Sequence, residues 1–184
     1  MQDLTEQKIE SKLLYKGKIL DLYFDSVLLP NGNTGIREYI RHVGAACVVP
    51  LTKDREILLV NQFRYPFAAV LPEIPAGKLD SPTESPLKAA IRELKEETGA
   101  DAAQMIYLGE YYPTCAYSNE VIHMYLAMNV APGAQHLDED EFIRCEAVAL
   151  DAFVERIMAG EIKDGKTQTA VLKAYYYIKD HPFL

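Results

Sequence analysis

Three glutamates on one predicted helix are the residues best placed to do chemistry. Glu93, Glu96 and Glu97 stand at i, i+3 and i+4, a spacing that projects all three carboxylates from one face of a helix. Neighbouring carboxylates repel each other by about 0.2–0.5 kcal/mol per pair, and a bound divalent cation removes that repulsion. Hard cations such as Mg²⁺ prefer carboxylate oxygens and share them with phosphate groups. The alternative is a solvated acidic face partly balanced by Arg92 and Lys95, and the helix taken alone favours this alternative because Glu-rich helix surfaces are common.

The helix that carries these glutamates has clear boundaries in the sequence. Ser85-Pro86 is typical of an N-cap followed by proline at the first helical position, and Gly99 is typical of a helix end. Between them, apolar or small residues recur at helical spacing and predict one buried stripe. The stripe comprises Leu87, Ala90, Ile91, Leu94 and Thr98. We therefore expect the glutamates to lie beside the buried stripe.

The rest of the chain predicts a mixture of strands and helices. A turn at residues 31–33 separates two β-prone segments and predicts a hairpin between Leu20 and Arg41. Further elements are strands at 45–49, 56–60, 105–112 and 121–128, a proline-punctuated loop at 72–77, and helices at about 151–159 and 166–180. Mixed strands and helices in this order predict an α+β or mixed α/β sandwich.

Composition and charge narrow the class of protein. A chain of 184 residues with net charge −8 suits one domain, or one domain with a small extension, and disfavours a nucleic-acid partner. Cys47, Cys115 and Cys145 show no metal-ligand spacing, so we expect free thiols in a reducing compartment. The N-terminus lacks the features of a signal peptide, and no segment approaches the roughly 20 apolar residues that span a bilayer. We expect a cytoplasmic protein with no membrane partner.

The segment from Gly77 to Ala100 resembles the Nudix box, G-x5-E-x7-R-E-U-x-E-E-x-G-U, in which U is apolar. Glu84 is followed by seven residues and then, without a gap, by the stretch from Arg92 to Gly99. Two positions depart from the pattern. Six residues instead of five separate Gly77 from Glu84, and Ala100 is a weak example of the last apolar position. An extra residue is easily accommodated in a surface loop.

This resemblance implies a Nudix hydrolase that uses Mg²⁺, for which Mn²⁺ can substitute. The implied metal ligands are Glu93, Glu96, Glu97 and the backbone carbonyl of Ala76. Glu84 and Arg92 are implied to orient the loop and the helix as a pair. In this chemistry the metal polarises phosphoryl oxygens, activates a water and templates its attack on a diphosphate.

Segments that flank the box resemble the ADP-ribose pyrophosphatase branch of the family. They are residues 62–66, 73–77, 111–114 with 118–120, and 137–143. The substrate-binding residues assigned on this basis are Arg64, Glu73, Arg41 and Tyr112. Arginine suits bidentate contact with phosphate, whereas Glu73 as a surface charge and Tyr112 as an edge-strand residue are structural alternatives. Cys115-Ala116-Tyr117 departs from the Pro-Gly-aromatic sequence common in the branch.

A general base is expected on a second loop. Carboxylates bound to metal have lowered basicity, so the helix glutamates are poor bases. By composition the acidic stretch from Asp138 to Glu141 is a solvated loop, but the resemblance places a mobile catalytic loop here. Glu139 and Glu141 are the candidates, with Glu139 preferred as the base and Glu141 as a further metal or water contact.

We predict a mixed α/β/α sandwich of Nudix type, with an N-terminal antiparallel β extension over residues 1–43 and a catalytic domain over 44–184. The resemblance implies that the extension exchanges between the subunits of a homodimer and helps to build the adenosine pocket. The implied reaction is hydrolysis of ADP-ribose to AMP and ribose 5-phosphate. The alternatives are another nucleoside diphosphate sugar, such as GDP-mannose or ADP-glucose, or a Nudix-like sensor that binds nucleotide without cleaving it.

Overall fold

A computed structural model describes residues 3–137, 139 and 141–181. The chain forms two compact units. One comprises Met1–Val43 and Tyr112–Glu120, and the other comprises Gly44–Tyr111 and Val121–Leu184. Among the described residues, no helix is long and apolar enough to cross a membrane.

The first unit is built on a three-stranded antiparallel sheet with the order β1-β2-β3. Its strands are β1 Gln7–Lys16, β2 Asp21–Leu28 and β3 Thr34–Arg41. The predicted hairpin corresponds to β2 and β3, and Gly32 adopts a positive φ of 85° in the turn between them. Residues 112–120 lie along β3, where the Ile40 N–H donates to the Tyr117 carbonyl at 2.9 Å.

The second unit contains a mixed seven-stranded sheet. Its strands are β4 Ala45–Thr52, β5 Glu56–Arg64, β6 Ala69–Glu73, β7 Ala76–Lys78, β8 Gln104–Tyr111, β9 Ile122–Val130 and β10 Ile143–Ala149. The central order is β10-β5-β4-β9-β8, while β6 pairs with β5 and β7 pairs with β4. Among the described strands of this sheet, β4 and β9 are the one parallel pair, since β9 begins beside Ala45 and ends beside Thr52.

Strand β4 is buried over its whole length because helices cover both faces of the sheet. Alternate side chains, such as Cys47 and Val49, enter a core with the helices α2 Leu150–Met158 and α3 Gly165–Asp180. The intervening Ala46 and Val48 enter a second core with the helix α1 Pro86–Thr98. The predicted α/β/α sandwich is therefore confirmed, with α1 on one face and α2 and α3 on the other.

Helix α1 has the boundaries that the sequence predicts. Ser85 is extended, Pro86 occupies the first turn, and Gly99 ends the helix with a φ of 68°. The predicted buried stripe is only partly right, because Leu87 and Ile91 are 39% and 46% exposed. The helix is rotated so that Glu93 and Glu97 become buried in place of those two apolar residues.

The predicted loop over residues 72–77 is wrong, because most of it belongs to strands β6 and β7. Prolines at 72 and 75 favour a loop, but Pro72 lies in β6, which pairs with β5 and with no other strand that the structure describes. Proline is tolerated on such an edge strand because no ladder hydrogen bond is needed on its outer side. The β6–β7 connection is consequently short and lies beside β4.

Candidate active site

The carboxylates of α1 face strand β7 in a largely buried position. Glu93 and Glu97 are 8% and 4% exposed, and the Ala76 N–H donates to Glu97 at 3.2 Å. A Cβ atom at Gly77 would lie 1.8 Å from Glu93 Oε1, so a larger residue there would displace the Glu93 side chain from its position against the strand. The Nudix-box glycine therefore makes room for a helix carboxylate.

Arg92 links the helix to the loop that precedes it. Its Nη1 donates to Glu93 at 2.7 Å and to Glu96 at 3.1 Å, and its Nε lies 3.8 Å from Glu84. Glu84 in turn accepts a hydrogen bond from the Asp80 N–H at 2.6 Å. The structure thus brings together the two residues, Glu84 and Arg92, that were expected to orient the loop and the helix.

Burial disfavours the ionised form of the Glu93 and Glu97 carboxylates in this cluster and so raises their pKa values. Burial, followed by the charge of Glu93, raises the pKa of Glu97 to about 8. Burial raises the pKa of Glu93 to about 7, although the Arg92 guanidinium opposes the shift. The charge of Glu141 raises both pKa values further. Buried like charges of this kind are stabilised when a divalent cation binds between them, so the donor set fits a hard metal ion.

The carboxylates do not form a closed cation cage in this arrangement. Within residues 3–137, 139 and 141–181, no three acidic, histidine or cysteine side chains converge on one point. Arg92 accounts for this, since its Nη1 draws the Glu93 and Glu96 carboxylates towards itself. Cation binding at this cluster would require these two side chains to turn away from Arg92 into other staggered rotamers.

The segment that leads to the predicted base is anchored on the C-terminal end of α1. The carbonyls of Glu96, Glu97 and Thr98 accept hydrogen bonds from His136 N, Gln135 Nε2 and Gly133 N at 2.8, 2.6 and 3.1 Å. These contacts satisfy carbonyls that a helix end leaves without partners. Glu141 is partly buried and acts electrostatically on the α1 cluster, whereas Glu139 is exposed in a turn. Asp138 and Asp140 lie outside the described residues.

Arg64 and Glu73 form a charged pair on neighbouring strands. Arg64 Nε and Nη2 donate to the two Glu73 oxygens at 2.6 and 2.7 Å. The Glu73 side chain is 3% exposed and also pairs with Lys166. Burial raises the pKa of Glu73, but hydrogen bonds and charge from Arg64 and Lys166 outweigh it, so the net pKa is lowered. The lowered pKa favours the ionised carboxylate, and both of its oxygens are engaged by cationic partners.

The sequence did not predict that Lys166 is largely buried and paired with two carboxylates. A lysine at the start of a helix normally indicates a solvated side chain, yet this one is 11% exposed and pairs with Glu73 and Asp164. The one available signal was Asp164, since aspartate before a helix is typical of an N-cap. Asp164 indeed accepts from the Thr167 N–H at 2.9 Å.

Arg41 and Tyr112 belong to the first unit. The Arg41 guanidinium lies 3.9 Å from the centre of the Tyr23 ring and donates to the Tyr39 hydroxyl at 2.8 Å. Tyr112 is 54% exposed. The remaining predicted site residues all belong to the second unit.

A cavity of about 450 Å³ in the second unit lies away from the acidic cluster. Its lining includes Leu51 and Thr52, at the end of β4, whereas β7 pairs with the beginning of that strand. The cavity and the cluster are thus separated by the length of a strand. We place the candidate chemistry at the cluster because its carboxylates supply reactive groups.

Comparison with known proteins gives consistent matches. The NUDIX domain family matches residues 40–168, and the nucleoside diphosphate sugar hydrolase N-terminal domain family matches residues 6–40. An ADP-ribose pyrophosphatase of Bacillus subtilis is 37% identical over 173 residues, which are 93% of each chain. A methanol dehydrogenase activator of Bacillus methanolicus is 39% identical over 93% of this chain and 94% of its own.

A solved structure shows the same fold. It is described as the crystal structure of an ADP compounds hydrolase, and it superposes with a TM-score of 0.85 over 100% of both chains. The sequence identity is 18%, so this likeness concerns the fold alone.

Proposed function

Since the chain belongs to the Nudix hydrolase family, we propose that it hydrolyses the diphosphate bond of ADP-ribose to AMP and ribose 5-phosphate. The observation that carries this proposal is the buried carboxylate cluster of α1, which faces the Ala76-Gly77 segment of β7. Near full-length similarity to an ADP-ribose pyrophosphatase supports the choice of substrate. The match to a nucleoside diphosphate sugar hydrolase N-terminal domain supports the same substrate class.

Nudix hydrolases use divalent cations, and we propose Mg²⁺ here, with Mn²⁺ as a substitute. Glu93, Glu96, Glu97 and the Ala76 carbonyl would hold it. When bound, the cation would polarise phosphoryl oxygens and lower the pKa of an attacking water. Arg92 and Glu84 would hold the helix and the preceding loop in a fixed relative orientation. Arg92 donates hydrogen bonds to Glu93 and Glu96 and lies beside Glu84.

A glutamate carboxylate on the loop after residue 137 would take the proton of the attacking water. Glu139 is the proposed base, because a base should stand near the water but off the metal ligands. Glu141 is the proposed metal or water contact, which agrees with its electrostatic effect on Glu93 and Glu97.

The substrate diphosphate would be held first by Arg64, whose side chain is 38% exposed. Glu73 is buried, with both oxygens engaged, so it would act on the substrate through Arg64. Arg41 and Tyr112 of the first unit are also proposed substrate contacts, because the chain resembles ADP-ribose pyrophosphatases.

We further propose a cytoplasmic homodimer in which residues 1–43 form an extension exchanged between subunits and residues 44–184 form the catalytic domain. The family match to residues 6–40 supports this division. Segment 112–120 lies along strand β3 and would move with the extension.

A substrate screen tests the proposal. The purified protein is incubated with ADP-ribose, ADP-glucose, GDP-mannose and NADH, with Mg²⁺ or with EDTA, and the products are identified by mass. We expect AMP and ribose 5-phosphate from ADP-ribose in Mg²⁺ and no products in EDTA. A higher kcat/KM for GDP-mannose would replace the proposed substrate, and binding without cleavage would favour a sensor.

A further inference from the structure

Lys166 carries a charge in a position where lysine is rarely found. Its ammonium group lies between the carboxylates of Glu73 and Asp164, and its side chain is 11% exposed. Burial lowers the pKa of this lysine, but the two carboxylates outweigh the effect and raise it overall. A largely buried ammonium with two carboxylate partners is fixed in place, because separation from either partner leaves an uncompensated buried charge.

Glu73 connects Lys166 to the arginine at the proposed phosphate site. One Glu73 oxygen is shared by Lys166 Nζ and Arg64 Nη2, and the other accepts from Arg64 Nε at 2.6 Å. This side-on pairing fixes the plane of the guanidinium and does not use Nη1. Arg64 is 38% exposed whereas Glu73 is 3% exposed, so the arginine is the solvent-accessible end of the chain of charges.

The same unit anchors the short β6–β7 connection. Thr167 donates its hydroxyl to Asp164 at 2.5 Å and accepts the Ile74 N–H at 3.0 Å. Two residues further on, the Ala76 N–H donates to Glu97 at 3.2 Å. Residues 164–167 thus hold both Arg64, through Glu73, and the backbone that faces the carboxylate cluster.

We propose that Lys166 is a positioning residue for substrate binding, because it locks Glu73 in the orientation that presents Arg64 Nη1 to a substrate phosphate. The proposal rests on the proposed function, since it takes a diphosphate as the ligand of Arg64. Holding the guanidinium in place before binding avoids the loss of side-chain freedom that a mobile arginine suffers on binding. Lys166 acts without touching the substrate.

The test is a double-mutant cycle on affinity. Lys166→Met, Arg64→Ala and the double variant are compared by the dissociation constant of ADP-ribose, measured calorimetrically in EDTA, and by KM and kcat in Mg²⁺. We expect Arg64→Ala and Lys166→Met each to weaken binding about 10- to 100-fold, the range for a lost charge-assisted hydrogen bond. The double variant should be no weaker than Arg64→Ala alone. Raised KM with little change in kcat is expected for each.

The matched control is Lys163→Met, which removes an exposed lysine on the same segment, where Nζ donates to the Gly160 carbonyl. It should leave affinity unchanged. Glu73→Gln serves if Lys166→Met does not fold, because it keeps the side-chain size and leaves Lys166 paired with Asp164. Its effect should also vanish in the Arg64→Ala background.

Two outcomes overturn the role of Lys166. One is an unchanged dissociation constant in folded Lys166→Met, which would leave the lysine a purely structural residue. The other is additivity with Arg64→Ala, which would show that Lys166 acts by another route. Wild-type protein that binds ADP-ribose without cleaving it would overturn the proposed reaction, while the cycle on affinity would still decide the role of Lys166. Wild-type protein that neither binds nor cleaves it would overturn both.

Discussion

Glu97 is the residue on which metal binding should depend most, because it is buried and faces the Ala76 backbone. Glu97→Gln keeps the size of the side chain and an oxygen that can still accept the Ala76 N–H, so the fold should survive. The amide is a poorer ligand for hard cations, and kcat should fall by at least about 10²-fold. The exposed Glu155 on α2 offers a control, Glu155→Gln, with normal turnover. Near-normal turnover of Glu97→Gln at saturating Mg²⁺ would remove Glu97 from the metal site.

The raised pKa values of Glu93 and Glu97 predict how stability depends on pH without metal. An ordinary glutamate pKa is 4.5, whereas these two titrate at about 7 and about 8 in the folded protein. Between pH 4.5 and 8 the folded state therefore binds more protons than the unfolded state, so its stability falls as pH rises. We expect the melting temperature in EDTA to decrease across this window and Mg²⁺ to restore it most at the upper end. A slope unchanged in Glu97→Gln would contradict this assignment.

The two loop glutamates can be separated by their pH profiles. Loss of a general base typically lowers rate by about 10²–10⁴-fold and removes the acidic limb of the kcat profile. We expect this result for Glu139→Gln. Glu141→Gln should instead change the Mg²⁺ concentration needed for half-maximal activity, because Glu141 acts on the α1 carboxylates. Full kcat and an unchanged profile in both variants would place the base elsewhere in the molecule.

At the scale of elements, α1 shows that local sequence determines where a helix begins and ends. Ser85-Pro86 and Gly99 predicted its ends because capping depends on backbone chemistry within a few residues. Its buried face was predicted only in part, because the apolar Leu87 and Ile91 proved exposed and the charged Glu93 and Glu97 buried. The proposed metal site would account for the difference, since it needs carboxylates where a packing rule places apolar residues.

The residues that local sequence could not predict depend on distant partners. The burial of Lys166 requires Glu73, which is 93 residues away, and helical periodicity carries no information about that contact. Strands β6 and β7 were missed for the same reason, since their pairing with β5 and β4 outweighs the local preference of two prolines for a loop. Glu84 and Arg92 were assigned together only because the family motif relates them.

Two glycines in left-handed conformation provide a test of how α1 is joined to the following loop. Gly99 and Gly160 have φ values of 68° and 75°, and an added Cβ meets nothing within 4 Å at Gly160. Gly160→Ala should therefore cost only the backbone strain, about 1–2 kcal/mol. At Gly99 the Cβ would lie 2.3 Å from the Gly133 carbonyl carbon, so Gly99→Ala must also displace the segment that leads to Glu139. We expect a larger loss of stability in denaturant titrations and lower kcat, whereas equal destabilisation of the two variants would contradict this packing.

At the scale of the whole molecule, apolar surface concentrates on the N-terminal sheet. All ten residues of β1 are exposed, although four of them are large and apolar. These four are Ile9, Leu13, Leu14 and Tyr15. Strand β1 is also the edge of the three-stranded sheet in the described part of the chain, so its outer backbone groups are open to pairing. Long apolar edge strands promote association unless another chain covers them.

A second apolar surface surrounds the turn between β5 and β6. Phe63, Tyr65, Phe67 and Val70 are 54%, 87%, 74% and 58% exposed. Isolated apolar side chains on a surface are common, but this cluster occupies one hairpin. An interface between two copies of the chain would account for exposed apolar groups on both surfaces.

These surfaces predict a homodimer whose formation depends on β1. In sedimentation velocity at micromolar concentration, wild-type protein should sediment as a dimer. The double substitution Leu13→Glu/Leu14→Glu places two charges on β1, and burying an unpaired carboxylate in an interface is unfavourable. It should shift the protein to monomer without unfolding it, because both side chains are already exposed in the single chain. Lys12→Glu, at an exposed charged position of the same strand, is the control and should leave the dimer intact. A wild-type monomer would contradict the dimer, and a dimeric Leu13→Glu/Leu14→Glu variant would place the interface away from β1.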